Sequence, residues 1–334
     1  MKNNLYIVPA LALLLSLTLS PGALALEATE LVPVGETVGI EIKMEGVLVV
    51  EAGEVETASG KLSPARSAGI CPGDIIISVN GRNTATAAEF LTAAANLDGK
   101  PVEVVAKREG KEIKFSVSPA QTVDGGWQLG LWLRDGVSGI GTVTFYEPHS
   151  GTYGALGHGI NDLKSGELMP IGSGSILEAT VSDVLPGREG CPGELRGDID
   201  KAGVIGSIDH NSLCGIFGKA AANNFVQSTP LPVASPGEVL LGEASILSNV
   251  SGDEIKEYSV EICRIYRGSD DVRNLMLAVT DPELISRTGG IVQGMSGSPI
   301  IQNGKIIGAV THVLVNDPTR GYGIFIENML DAAS

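Results

Sequence analysis

A mainly β chain in two parts is what the sequence predicts, and three observations predict it. Short runs rich in Val, Ile, Thr and aromatic residues recur from residue 38 onward, each closed by Gly, Pro, Asn or Asp, as strands between turns should be. The 44 glycines among 334 residues are about twice the usual share of roughly 7%, which implies many tight turns. Helical spacing of apolar residues is confined to a few short segments, and the length suits two domains of roughly 100–200 residues.

The first unit spans 36–120, preceded by a linker at 26–35. Strand-like runs fall at 38–44, 47–51, 74–79, 102–107 and 112–117. Between them, 86–97 carries Ala, Phe and Leu at helical spacing, and 64–68 is a short helical turn ahead of Gly69. Glu109-Gly110 closes a hairpin between the last two runs. This order, centred on SPARSAGICPGDIIISVNG, resembles a PDZ domain of the kind attached to bacterial exported proteases. The resemblance implies a loop whose backbone N–H groups capture a peptide's terminal carboxylate while the peptide adds as an extra strand. Val38, Gly39, Ile40, Glu41 and Ile42 form the matching stretch, in place of the usual Gly-Leu-Gly-Phe. A PDZ fold used only as an internal brace is the other reading.

The second unit spans 121–334 and contains GIGTVTFYEP, YSVEICRIYR, KIIGAVTHVLV and GYGIFIE among many short strands. Such spacing indicates a barrel or sandwich, and only 328–333 reads as a terminal helix. Within this unit Ser296 stands between Gly294-Met295 and Gly297-Ser298-Pro299. The cluster is either a plain turn, since Gly permits positive φ and Pro fixes its own, or a loop presenting a nucleophile. A serine hydroxyl needs a base to take its proton, and the oxyanion that follows needs backbone donors. The N–H groups of Gly294 and Ser296 have the spacing of such a pair. The segment resembles the Gly-x-Ser-Gly-x-Pro signature of chymotrypsin-like peptidases, which implies a double β-barrel with Ser296, rather than Ser298, as nucleophile.

His149, His158, His210 and His312 compete for the role of base. His158, in GALGHGI, stands at a strand end among glycine turns and is the first choice. His210, after Asp209 in a polar turn, is the second. His312 lies on the strand that follows the serine, where double-barrel peptidases have the wall of the primary specificity pocket, and His149 sits in a loop. The carboxylate that fixes the imidazole's tautomer is best assigned to Asp281, which ends an apolar run before Pro282; Asp162 is the alternative. A strand-end Asp in either place also serves as a plain cap.

With these residues assembled, the chain resembles the stage IV sporulation protein B peptidases of endospore-forming Firmicutes over nearly its whole length. The resemblance rests on LRDGVSGIGTVTFYEP, GALGHGI and TDPELISRTGGIVQGMSGSPIIQNGKIIGAVTHVLVNDPTRGYGIFIE. It implies a catalytic set of His158, Asp281 and Ser296 working by acyl transfer, which needs no metal or organic cofactor. It also implies export from the forespore into the space between its two membranes, and cleavage of the chain itself. The target there would be an extracytoplasmic part of a membrane complex that restrains an intramembrane metalloprotease, whose release matures a mother-cell sigma factor. The PDZ domain is implied in self-recognition and target binding.

Composition bounds the alternatives. With 39 acidic and 23 basic residues the net charge is −16, which argues against a broad phosphate-binding face and against nucleic acid as a partner. Lys2, the apolar stretch 5–19 and Ala23-Leu24-Ala25 read as an export signal over 1–25, either cut after Ala25 or kept as an anchor. Cys71, Cys191, Cys214 and Cys263 contain no CxxC pair, so no zinc ribbon or thioredoxin-like site is indicated, and disulfides and free thiols both stay open. Two other functions are carried forward. One is an HtrA-like quality-control protease, which usually places its PDZ domain after the protease. The other is a non-catalytic PDZ regulator of a membrane complex.

Overall fold

The structure, a computed structural model, describes residues 30–162, 166–221, 225, 228–268 and 272–333. The export signal expected at 1–25 lies outside the described residues. Two long strands, Thr37–Ala52 and Leu131–Glu147, organise the first half of the molecule. They run antiparallel from Thr37 opposite Thr142 at one end to Ala52 opposite Leu131 at the other. Neither contains a proline, and Gly46 (φ 128) and the register shift between Arg134 and Gly136 bulge the ladder without ending it. One half of this ladder belongs to the PDZ domain and the other to the protease domain.

On the PDZ side, Val47 and Leu48 pair with Ile76 and Ile75. The strand Ile75–Val79 pairs in turn with Val102–Arg108, and that strand with Lys111–Val117. Glu109 and Gly110, at the tip, both have positive φ (51 and 72), as a two-residue hairpin turn requires. Helix Ala87–Ala94 begins at Thr86, whose side chain accepts from the Glu89 N–H, and buries Phe90 against Ile76, Val104 and Val117. Asp74, 1% exposed, receives two hydrogen bonds from Arg108 at 2.6 and 2.7 Å, a bidentate pairing that locks the Pro-Gly-Asp turn.

On the protease side, residues 37–43 pair with 136–142 on one edge, and 39–43 pair with the strand Ser173–Leu185 on the other. The strands Thr152–Ala155, Gly215–Lys219 and His210–Ser212 extend this first protease sheet. The second half is a closed barrel of Gly242–Ser248, Lys256–Ile265, Leu275–Val279, Asp317–Phe325, Lys305–Leu314 and Pro299–Gln302. Its alternating apolar residues, Ile246, Ile262, Leu275, Leu277 and Val310 among them, fill the interior. Helix Ile326–Ala333 sets Met329 against Leu31 and Phe145, joining the halves. Among the described residues, no helix is long and apolar enough to cross a membrane, and Cys71, Cys191, Cys214 and Cys263 are all free thiols.

Four expectations change. The PDZ strands do not simply precede the protease; they are nested inside its first sheet, because the run from Thr37 to Ala52 is one strand serving both. The expected linker at 26–35 includes the strand Glu30–Pro33, paired with Tyr146 and Phe145 on one side and Leu231 and Pro232 on the other, with Leu31 and Val32 buried. Of Val38, Gly39, Ile40, Glu41 and Ile42, expected to offer a peptide an open edge, Gly39 to Ile42 have strand partners on both edges and Val38 is paired with Gly141, so that edge is already taken. A helix also forms at Pro282–Thr288, where the sequence reading places only a strand end and a loop.

Candidate active site

Helix Pro282–Thr288 delivers the serine loop. Asp281 caps its start, with Pro282 in the first turn, and Gly289 in the left-handed conformation (φ 74) ends it. Ile291, Val292 and Met295 then anchor in the second barrel's core, each 2% exposed or less. The intervening backbone faces the first sheet, where buried Thr142 grips it twice. The Thr142 hydroxyl donates to the Gly294 carbonyl at 2.8 Å and its N–H to the Ser296 carbonyl at 3.0 Å. Gly297 makes the approach possible: at φ 100, a Cβ there would lie 1.9 Å from the Thr142 carbonyl oxygen.

The N–H groups of Met295, Gly297 and Ser298 donate to the carbonyls of Val292, Val310 and Met295. Those of Gly294 and Ser296 are engaged by no backbone carbonyl among the described residues, which leaves this pair, one residue apart, for an oxyanion. The Ser296 hydroxyl itself donates to the Thr311 carbonyl at 2.7 Å.

Ser296 and His158 line the same pocket, together with Gln293, Gly294 and a set of aliphatic side chains. His158 Nδ1 lies 2.9 Å from the Gly159 carbonyl oxygen. A carbonyl only accepts, so Nδ1 carries the proton and Nε2 keeps its lone pair. Burial pushes His158 below the ordinary imidazole range and so favours the neutral ring, opposed by the Gly159 hydrogen bond. The serine Oγ is turned to the Thr311 carbonyl and makes no hydrogen bond to His158 in this structure.

The other predicted residues lie as follows. His312 packs its ring 5.0 Å from that of His158, tilted by 37°. Asp281 is occupied elsewhere. Its Oδ1 accepts from the N–H groups of Glu283 and Leu284 at 2.9 and 3.0 Å, and its Oδ2 from Ser259 at 3.4 Å. It therefore starts the helix that carries the serine loop, and the structure does not bring it to His158. Asp162 lines a cavity of about 310 Å³ between its own loop and Asp74 and Arg108 of the PDZ domain, not the pocket of Ser296. His210 stacks on Phe217 and His149 is exposed beside Glu147.

Two features escaped the sequence reading. Asn211 holds the segment after His158, accepting from Ile160 N–H at 2.9 Å and donating to the Ile160 and Met169 carbonyls at 2.9 and 3.0 Å. Its only signal is an Asn within a polar turn. The open PDZ edge lies at 131–134, which among the described residues pairs only with 48–52. It faces helix Ala87–Ala94 across a groove of about 480 Å³ whose lining includes Phe90, Leu91, Leu97, Leu129 and Trp132, with Leu91 and Trp132 67% and 68% exposed. Gln128-Leu129-Gly130-Leu131 is the signal that marks it.

The model of the SpoIVB peptidase S55 family matches residues 125–330, and a PDZ domain model matches 57–108. No curated protein matches the chain. Among solved structures, the PDZ domain of an SdrC-like protein from Listeria monocytogenes is 18% identical, covering 28% of this chain and 90% of that one, with a TM-score of 0.22. The active form of the Rv3671c protease from M. tuberculosis is 14% identical over 59% of this chain and 75% of its own, with a TM-score of 0.33. The HtrA-type protease AlgW with a decapeptide is 11% identical over 59% and 52%, with a TM-score of 0.34.

Proposed function

Because the chain belongs to the SpoIVB peptidase S55 family and is a serine endopeptidase, we propose that Ser296 and His158 carry out its chemistry and that it serves as an exported signalling peptidase. His158 Nε2 takes the proton as Ser296 Oγ attacks a peptide carbonyl, and the N–H groups of Gly294 and Ser296 hold the oxyanion. His158 returns the proton to the leaving amine, and water releases the acyl-enzyme by the same route. The Gly159 carbonyl fixes the imidazole's tautomer and His312 fixes its tilt; Asp281 acts through the serine-bearing helix. The observation that carries this reading is the shared pocket of Ser296 and His158 with two unengaged N–H groups beside it.

The substrates are protein chains, including the peptidase itself and an extracytoplasmic part of a membrane complex that restrains an intramembrane protease. The family's sporulation name supports this assignment, with the intermembrane space around the forespore as the place of action. The PDZ groove beside Leu129–Trp132, instead of the stretch at Val38, takes the peptide that guides self-recognition or target binding. The test follows intact mass and fragment ends over time for the full chain and its Ser296→Ala variant. Cleavage at defined bonds in the parent and none in the variant is the expected result. Equal fragmentation of both, or none in either alongside no labelling of Ser296 by a fluorophosphonate, refutes the mechanism.

A further inference from the structure

The pocket shared by Ser296 and His158 has a volume of about 260 Å³, below the roughly 300–1,000 Å³ of sites that enclose whole small molecules. It is sized for a side chain. Its lining includes the proposed nucleophile and base with Gly294, so a side chain that fills it belongs to a residue close to the bond being cut. Its walls are Ile40, Val137, Ile140, Leu156 and Ile160, with Gly139 and Gln293. No lining side chain besides His158 is ionisable, and burial favours the neutral form of His158. A charged substrate side chain there would lose water and meet no counter-charge, which is strongly unfavourable.

A second, independent observation singles out one wall. Leu156 has φ 70, a left-handed conformation that is a genuine outlier for a bulky residue and is kept only where the surroundings impose it. It is 5% exposed and stands two residues before His158. Its Cδ2 lies 2.2 Å from where a Cβ on Gly141 would stand, so the side chain is held close over the strand that also supplies Val137 and Ile140. A glycine at 156 would adopt this backbone without strain but would supply no wall.

We infer that this pocket makes the peptidase select an aliphatic side chain directly flanking the scissile bond, with Leu156 as the residue that sets its depth. The inference rests on Ser296 being the nucleophile, which fluorophosphonate labelling checks separately. The experiment incubates the full chain with short peptides randomised at their central positions and reads the cut ends by mass spectrometry. Matched peptides differing at one flanking position then give kcat/KM. Leu, Ile or Val at one flanking position is expected to exceed Asp and Lys there by about 100-fold, within the range a shaped apolar pocket achieves. Leu156→Gly is expected to remain folded, to keep labelling at Ser296, and to move the optimum toward Phe or Trp. Labelling of Ser296 with equal cleavage of Leu, Asp and Lys peptides at both flanking positions overturns the inference while sparing the mechanism. So does an unchanged optimum in Leu156→Gly. Absence of both labelling and cleavage overturns the two together.

Discussion

The loop of Ser296 and the segment of His158 stand on unlike supports. Ser296 follows a capped helix and three buried anchors inside a closed barrel. His158 begins a segment that leaves an open sheet and leans on the PDZ domain, where Met169 packs with Met44 and Leu48. Side-chain hydrogen bonds from Asn211 tie that segment down. A barrel's ladder leaves no edge for its own loop to drift along, whereas the histidine's position depends on neighbours supplied by another domain. The serine loop is anchored in its own barrel and clasped from outside by Thr142, whereas the histidine segment adds a PDZ contact to its tie from Asn211.

Substitutions at the contacts that hold each half of the site sharpen this contrast. The largest effect is expected from Gly297→Ala, since the new methyl would meet the Thr142 carbonyl at 1.9 Å and the Leu156 nitrogen at 2.6 Å. Displacement of the adjoining oxyanion donors should cost about 10²–10³ in kcat, with the far-UV spectrum retained. Full activity would mean that Thr142 does not set the loop. Next is Asn211→Ala, which leaves the Ile160 and Met169 carbonyls without their side-chain donor. A loss of about 10–100-fold in kcat is expected, from groups worth about 1–3 kcal/mol when left unsatisfied. Ser296 should still react with a fluorophosphonate, so loss of labelling would show that the two halves are not separable.

The pH profile probes the histidine half alone. Burial disfavours the charged imidazole, so His158 holds its lone pair to lower pH than a free histidine. The acid limb of kcat/KM should therefore fall below about 6.5; a midpoint at or above that value would place the base elsewhere. The smallest effect is expected at Asp281. Asp281→Ala should cost about 1 kcal/mol of stability through the lost cap, and Asp281→Ser, which caps equally well, should restore both stability and cleavage. If Asp281→Ser melts like the parent yet does not cleave, the carboxylate acts in catalysis after all.

Much of this was legible in the residues. The strand runs, the hairpin at Glu109-Gly110 and helix Ala87–Ala94 follow from periodicity and turn chemistry, and the two residues singled out by the glycine-serine cluster and the glycine-flanked histidine, Ser296 and His158, line one pocket. What misled was the choice of strand edges. Periodicity shows that 37–52 is extended, but which neighbours take its two edges is decided by tertiary pairing, so Val38–Ile42 read as an open groove when it is the middle of a sheet. Asp281 has a cap role that the sequence alone does not separate from a catalytic one. An Asp before Pro at the end of a strand is equally good as a helix cap and as a triad acid, and only the following turn, Pro282–Thr288, distinguishes them. Asn211 gave no local signal because its partners lie about 40–50 residues away in the chain.

The long shared ladder also fixes how the two modules can be separated. Lys43 and Gly136 are cross-strand partners, with Cα atoms about 4.5–5.5 Å apart as in any antiparallel pair. Excising 44–135 therefore leaves two ends that a two-residue Asn-Gly turn would close, with the clasp from Thr142 to the serine loop untouched. Viewed this way the PDZ domain occupies the tip of a hairpin, and its gain or loss in a lineage requires an insertion or a deletion within one loop, not a fusion at a terminus.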